Sequence, residues 1–177
     1  MKATITFLIL LVFSGISFGQ SAPVKNTDPV KYNDFIVGEQ NKIGESLLDL
    51  MEVINDETST LDVAMSYLGT LSATIDQSIA NMENLEKLTN DYGLKNASME
   101  LFGFYKRIMR DKYSEILKQL YSESPDVDAI NRITQEVSDE EKGYDAAFQK
   151  AQQAFASANG FTLAPNSMQD DIDGSGQ

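Results

Sequence analysis

Residues 61–88 read LDVAMSYLGTLSATIDQSIANMENLEKL, and this stretch decides the fold of the chain. Its apolar residues recur at every third or fourth position, which places them in one stripe along an amphipathic helix. The stripe consists of Leu61, Met65, Leu68, Leu71, Ile75, Ile79, Met82, Leu85 and Leu88. Thr60 is a suitable N-terminal cap for this helix. Gly93, at the end of the polar run 90–93, can supply a left-handed residue at its C-terminus.

A similar pattern precedes this stretch. Asp28 and Pro29 predict the start of a first helix, because the Asp side chain can accept from free backbone amides and Pro needs no N–H there. The apolar stripe that follows has a double step between Ile36 and Ile43. It consists of Tyr32, Phe35, Ile36, Ile43, Leu47, Leu50, Met51 and Ile54. The polar run 55–59 separates the two helices.

Two further helices are predicted after residue 93. We expect Asn96 to cap the third, whose stripe is Phe102, Tyr105, Met109, Tyr113, Ile116, Leu117 and Leu120. We expect Ser124 and Pro125 to cap and open the fourth, which Gly160 should end. The stripe of the fourth helix is Val127, Ile130, Ile133, Val137, Tyr144, Phe148, Ala151 and Phe155.

No stretch alternates with the period of two that is typical of a strand. Four long helices with short connections favour antiparallel neighbours. The sequence therefore predicts an all-α fold, an antiparallel up-down-up-down four-helix bundle over residues 28–163, because each stripe needs apolar partners along its whole length. Two helical hairpins stacked less regularly are the alternative arrangement.

The first residues have the features of a secretory signal peptide over residues 1–19. Lys2 gives a basic start, an apolar run follows, and the small residues Ser17 and Gly19 suit cleavage after Gly19. The alternative is a transmembrane anchor, but that needs about 20 apolar residues, more than this run contains. We therefore expect an exported protein without a transmembrane segment after cleavage, located in the periplasm, at the cell surface or outside the cell.

The two ends of the remaining chain are polar. Residues 20–27 are predicted to be a polar leader and residues 164–177 a disordered acidic tail. The tail run 170–174, Asp-Asp-Ile-Asp-Gly, resembles part of a calcium loop. With Gly174 at the sixth position of such a loop, its first position falls on Gln169 and its bidentate Glu has no counterpart, so no calcium site is predicted.

Composition excludes several classes of partner and chemistry. The chain has 14 basic and 27 acidic residues, a formal net charge of −13, and loss of Lys2 with the signal peptide makes this one unit more negative. Such a surface repels nucleic acid and anionic lipid. No cysteine is present, so the fold must be held by packing alone.

Histidine is also absent, which removes the usual ligands and bases of many sites. Zinc hydrolases, Ser-His-Asp and Cys-His nucleophiles, di-iron bundles and haem proteins all need groups that the chain lacks. No phosphate-binding loop is found either. We therefore predict a protein that is not an enzyme, without a cofactor, and no catalytic, cofactor-binding or metal-binding residue is assigned.

The third predicted helix contains the main concentration of basic residues, Lys106, Arg107, Arg110 and Lys112. We expect them to balance the acidic charge of neighbouring helices rather than to bind an anion. The helix also contains five aromatic residues: Phe102, Phe104, Tyr105, Tyr113 and Tyr121. Aromatic residues at helical spacing are expected to be part of the core, and a ligand pocket is the alternative.

Three segments carry a resemblance to a known group of proteins. Residues 28–43 (DPVKYNDFIVGEQNKI), 101–108 (LFGFYKRI) and 144–156 (YDAAFQKAQQAFA) together resemble a family of small bacterial exported surface proteins. The resemblance extends over roughly residues 28–163. It implies a helical bundle at or outside the cell envelope, and no activity, cofactor or binding residue comes with it.

Three functions follow as hypotheses. The first is a non-enzymatic envelope or surface protein that acts through its helix faces as a binding or scaffold module, with an unidentified protein or envelope component as partner. The second is a carrier that holds a small apolar ligand in the bundle interior, where Met65, Met82, Met99 and Met109 would adapt to it. The third is a hydrolase that uses carboxylates, for which the sequence indicates no geometry.

Overall fold

The computed structural model describes residues 28–163, and every regular element in that range is helical. The elements are α1 (Pro29–Asn55), α2 (Leu61–Asn84), α3 (Leu94–Ile108), a π-helical turn (Met109–Tyr113), α4 (Ser114–Leu120) and α5 (Val127–Asn159). The π turn continues α3 directly into α4, so residues 94–120 form one helix, here named the third helix. The predicted signal peptide 1–19, leader 20–27 and tail 164–177, with its rejected calcium loop, lie outside the described residues.

Contacts between neighbouring helices show that α1 and α2 are antiparallel, as are the third helix and α5. The amide of Asn81 on α2 donates to the carboxylate of Glu39 at 3.1 Å, and the hydroxyls of Ser46 and Thr74 lie 3.4 Å apart. A later residue of α1 therefore faces an earlier residue of α2. In the same way Arg107 binds Glu140 and Lys112 binds Glu136, at 3.2 Å in the second pair.

The remaining neighbours complete the bundle. Lys95, at the start of the third helix, contacts backbone carbonyls at the end of α2, whereas Lys106 pairs with Asp76 at 2.7 Å. α1 meets α5 where the rings of Tyr32 and Phe155 approach to 5.6 Å. All four helices thus pack against one another, and the prediction of an all-α antiparallel four-helix bundle is confirmed.

The core lies along the shared axis of the bundle and contains the predicted stripes except Val127, which is 37% exposed at the start of α5. Its largest fully buried side chains are Tyr32, Tyr105, Tyr113, Phe102, Phe104, Phe148, Phe155, Ile36, Ile43 and Leu50. A smaller cluster of Ile116, Ile130 and Ile133 fills the end where α4 meets α5. Four of the five aromatic residues of the third helix are buried and Tyr121 is half-buried, so their interpretation as core is confirmed.

Three predicted helix ends are confirmed. The Asp28 carboxylate accepts from the backbone N–H of Val30 at 3.0 Å, and the Thr60 hydroxyl accepts from that of Val63 at 3.4 Å. Gly160 ends α5 with a left-handed φ of 71°. Each group satisfies backbone atoms that a helix terminus leaves without an intrahelical partner.

Three other predicted ends are wrong. α5 begins at Val127 rather than at Pro125, because Asp126, not Ser124, accepts from the Ala129 N–H at 2.9 Å. Asn96 lies inside α3 and is not its cap. The residue before α3 is Gly93, whose φ of 82° is left-handed as predicted, but it precedes the third helix instead of ending the second.

The second helix is also shorter than predicted, because α2 ends at Asn84. Lys95 donates its Nζ to the carbonyls of Glu83 at 3.2 Å and Leu85 at 2.6 Å, which satisfies the end of α2 from the next helix. Leu85 and Leu88 still pack against the core from the loop that follows. The apolar spacing of Leu85 and Leu88 therefore reflects their burial and not a helical conformation.

Candidate functional site

The π turn in the third helix follows from an unusual repeat in its sequence. Leu101, Tyr105, Met109, Tyr113 and Leu117 are spaced by four residues throughout, and each is at most 1% exposed. A regular helix has 3.6 residues per turn, so four steps of four would drift by roughly 160°. A π turn holds an extra residue and cancels much of that drift. It therefore keeps one unbroken buried face, and such turns are frequent at functional sites.

Two carboxyl groups of α5 are buried beside this part of the third helix. Glu141 is 2% exposed and Asp145 is 7% exposed, and a spacing of four residues places them on the same face of α5. Glu141 lies near enough to Tyr105 and Tyr113 to contribute to the raised pKa of both hydroxyls. These four residues are named the acid–tyrosine cluster.

The acid–tyrosine cluster contains no basic residue that neutralises its carboxyl groups. Asp145 accepts a hydrogen bond from the amide of Gln149 at 2.7 Å. Oε1 of Glu141 and Oδ1 of Asp145 have no hydrogen-bond partner among residues 28–163. Ion pairs of the nearby Arg107 and Lys112 go instead to Glu140 and Glu136, on the solvent side of α5.

Burial strongly changes the acidity of these groups. Desolvation raises the pKa of Glu141 to about 9, with repulsion from Asp145 adding to it and the Tyr105 hydrogen bond acting in the opposite direction. Burial alone raises the pKa of Asp145 to about 6. Burial also raises the pKa of Tyr105 and of Tyr113 well above the usual value. Glu141 therefore carries a proton at neutral pH, and Asp145 changes its charge slightly below neutral pH.

A buried amide on α1 lies at the level of this cluster. Gln152 donates to Asn33 at 3.0 Å across the interface of α1 and α5. The two helices are antiparallel and each rises about 1.5 Å per residue. The residue seven positions after Asn33 on α1 is therefore level with the residue seven positions before Gln152 on α5. Those positions are Gln40 and Asp145. Gln40 is 1% exposed, and neither polar atom of its side chain has a hydrogen-bond partner among the described residues.

A second candidate site is an open groove between α1 and α2. One part, of about 530 Å³, is lined by Glu39, Lys42, Glu45, Ser46, Asp49, Thr70, Ala73, Thr74, Gln77 and Ser78. A second depression of about 660 Å³ shares Asp49 and continues the groove towards the α1–α2 turn, lined also by Glu52, Val53, Asn55, Asp56 and Tyr67. The two together are named the α1–α2 groove. Lys42 is the single basic residue among these lining residues, and its Nζ bonds Glu39 at 2.6 Å.

The basic residues of the third helix behave as predicted. Lys106 pairs with Asp76 of α2, Arg107 with Glu140 of α5, and Lys112 with Glu136 of α5. Arg110 binds its neighbour Asp111 at 2.6 Å. The interpretation as charge balance between neighbouring helices is therefore confirmed for three of the four residues.

The residues that suggested a ligand pocket are packed within the core. Met82 and Met109 are buried, and Met65 and Met99 are half-buried against the same apolar cluster. The rings of Phe104 and Tyr144 stack at 4.9 Å, with the Arg107 guanidinium 5.3 Å from the Phe104 ring centre. A carrier of an apolar ligand would therefore have to separate these side chains before it could bind.

The chemistry that the described residues can support is limited. Within residues 28–163 no group of three or more acidic, His or Cys side chains is placed to hold a metal ion. The acidic pair of the cluster can hold and release protons, but neither carboxyl lines the α1–α2 groove. In the same part of the chain, no helix combines the length and apolar character needed to cross a membrane.

Sequence reasoning assigned no site residue, although a signal for the buried polar groups was present. The predicted stripe of the fourth helix skips from Val137 to Tyr144, and Glu141 occupies the position in between. The stripe of the first helix skips from Ile36 to Ile43 across the buried Glu39 and Gln40. A skipped position within an otherwise regular stripe therefore marked buried polar residues in both helices.

Comparisons with protein-family models, with curated proteins and with solved structures found no match to this chain. The resemblance to small bacterial exported surface proteins therefore stays a prediction.

Proposed function

We propose that this protein is an exported, non-enzymatic envelope or surface protein, and that it acts as a helical binding or scaffold module through its α1–α2 groove. The observation that supports this function is the charge of the groove. Glu45, Asp49 and Glu52 follow one another on α1 at spacings of four and three residues. This spacing places them in one row along the groove.

The row favours a partner of opposite charge. None of these three carboxylates forms an ion pair within residues 28–163, whereas the basic residues of the third helix are mostly paired. A protein surface that presents Lys or Arg side chains would meet complementary charge along the groove. Tyr67, 39% exposed at one end, offers an aromatic face to a guanidinium or to an alkyl chain.

Crosslinking in the native host followed by affinity purification tests this proposal. The variant Glu45→Lys, Asp49→Lys, Glu52→Lys should lose the crosslinked partner. A control with the same change in charge, Glu86→Lys, Glu100→Lys, Glu123→Lys, alters exposed acids outside the groove and should retain it. Equal retention by both variants would reject the groove as the binding surface.

The carrier hypothesis has a separate test on the same material. Native mass spectrometry of protein purified from its host should show the mass of the chain alone if the protein is a binding or scaffold module. A retained small-molecule mass would favour the carrier of an apolar ligand instead.

A further inference from the structure

The buried carboxyl groups of α5 have a role that the proposed binding function does not use. Glu141 and Asp145 are on one face of one helix, a single turn apart, and both point into the interface with the third helix rather than towards the α1–α2 groove. Buried acids in proteins are usually paired with a basic side chain. The charge that acts on Glu141 is instead that of a second acid, Asp145.

The groups that face the pair are uncharged at neutral pH. The third helix contributes the hydroxyls of Tyr105 and Tyr113. Helix α1 contributes an amide at the level of Asp145, that of Gln40. Helix α5 itself contributes the amide of Gln149, which donates to Asp145. Among residues 28–163, no ion pair of α4 or of α5 reaches either carboxyl group.

We propose that Glu141 and Asp145 form a proton-operated lock between α5 and the third helix, closed when both carboxyl groups are protonated and released when both are ionised. Two carboxylates one turn apart repel each other, and this repulsion is strong where water is excluded. Because no basic group among residues 28–163 pairs with them, the ionised pair gains stability only by reaching water. Reaching water requires α5 to separate from the face that Tyr105 and Tyr113 occupy.

The position of the π turn favours opening at this point. Residues 109–113 lie between Tyr105 and the C-terminal part of the third helix, and the turn departs there from the regular hydrogen-bond pattern of an α-helix. Local opening in proteins starts where the hydrogen-bonded structure is least stable. The lock therefore acts on the interface of α5 with the third helix, whereas the interface of α1 with α2 contains none of its residues.

The direction of the pH effect follows from the raised pKa values of the two carboxyl groups. The closed bundle keeps protons that the open or unfolded chain releases, since the pKa is raised to about 9 for Glu141 and to about 6 for Asp145. Stability from these groups is fully present in acid, below their ordinary pKa values near 4. It is lost as the pH rises, first through the pKa of Asp145 and then through that of Glu141.

Denaturant unfolding, measured by circular dichroism between pH 3 and pH 9.5, tests the lock. Protein purified from the host should unfold at a progressively lower denaturant midpoint as the pH rises. The double variant Glu141→Gln, Asp145→Asn resembles the protonated pair in shape and cannot ionise. Its midpoint should equal that of the wild type at pH 3, below the ordinary pKa values of both groups, exceed it at pH 9, and change much less between the two.

Two controls separate the lock from general effects of charge. Glu136→Gln with Glu140→Gln removes two exposed acids from the same helix, and this variant should keep the pH dependence of the wild type. Carbon-13 NMR of side-chain carboxyl groups should show one resonance that titrates near pH 9 and disappears in Glu141→Gln.

Either of two results would overturn the proposal. If the double variant unfolds more easily than the wild type at every pH, including pH 3, the carboxyl groups are ordinary structural contacts. If wild type and double variant show the same slope with pH, the pair does not control the interface. Neither result bears on the α1–α2 groove, so the proposed binding function is tested independently.

Discussion

Two buried glutamates, one in each half of the bundle, differ in the groups that surround them. Glu39 at the α1–α2 interface is 1% exposed, and its carboxylate binds Lys42 at 2.6 Å and Asn81 at 3.1 Å. Glu141 at the interface of α5 with the third helix is 2% exposed and faces Asp145 and Tyr105. The two acids are equally buried, but Glu39 has hydrogen-bond donors for its carboxylate whereas Glu141 keeps its proton. The partners of a buried acid, and not its depth, decide which of the two it becomes.

The largest expected effect tests whether the two halves share one core. Phe148→Ala in α5 should reduce the free energy of unfolding by about 3–5 kcal/mol, because it leaves a cavity beside a fully buried ring. Leu71→Ala in α2 should cost about 2–5 kcal/mol for the same reason. Chemical denaturation monitored by circular dichroism measures both. A single unfolding transition in each variant is expected, and two separate transitions would show that the halves unfold independently.

The comparison of the two acids is tested directly by removing each charge. At pH 8, Glu39→Gln should destabilise the protein by about 1.5–3 kcal/mol, the range for hydrogen bonds that involve a charged group. Glu141→Gln should have no such cost, because the native side chain already carries a proton at that pH. Thermal unfolding of both variants in one buffer measures the difference. Equal losses would show that the surroundings of the two acids are equivalent in energy.

The starts of the helices give a smaller effect. Asp126→Ala should cost about 1 kcal/mol, since its carboxylate accepts from the Ala129 N–H, and Asp28→Ala in the other half should cost a similar amount. Ser124→Ala should change stability by less than about 0.5 kcal/mol, because Ser124 lies outside the helix. Denaturant midpoints decide between the two positions. A larger loss of stability in Ser124→Ala than in Asp126→Ala would support the predicted cap at Ser124.

The smallest effect is expected from the exposed ion pairs between the third helix and α5. A double-mutant cycle of Lys112→Ala and Glu136→Ala should give a coupling energy of at most about 1 kcal/mol, since solvent screens side chains that are 37% and 54% exposed. The coupling should shrink further in 1 M salt. A coupling energy larger than the stability lost in Glu39→Gln would show that this exposed ion pair contributes more than the buried acid of the other half.

The general architecture could be predicted from the sequence because amphipathic spacing reports burial directly. The caps Asp28 and Thr60, the stop at Gly160 and most residues of the four stripes are local features, and the structure confirms them. The end of α2 could not be found in this way. It depends on Lys95, a residue of the next helix that binds the carbonyls at residues 83 and 85.

The acid–tyrosine cluster was harder to predict from the sequence for the same physical reason. Whether Glu141 is solvated or buried depends on which face of α5 meets the third helix, and hydrophobic spacing alone shows only that a step is missing there. The π turn also results from a conflict between a repeat of four residues and the turn of an α-helix. Counting the steps between Leu101 and Leu117 exposes that conflict, but only the packed structure shows where the extra residue is accommodated.

The ring contacts of Phe155 show where a label or a fusion partner would be located on the bundle. Phe155 touches Tyr32 near the start of α1 and also Phe161, which follows α5, with ring centres 5.6 and 5.9 Å apart. The chain thus enters at residue 28 and leaves at residue 163 from a common pole. A fluorophore or fusion partner joined at either point would sit at that pole, while the turns at residues 56–60 and 121–126 would project from the opposite one. A circular permutation that links residues 163 and 28 would need only a short connector.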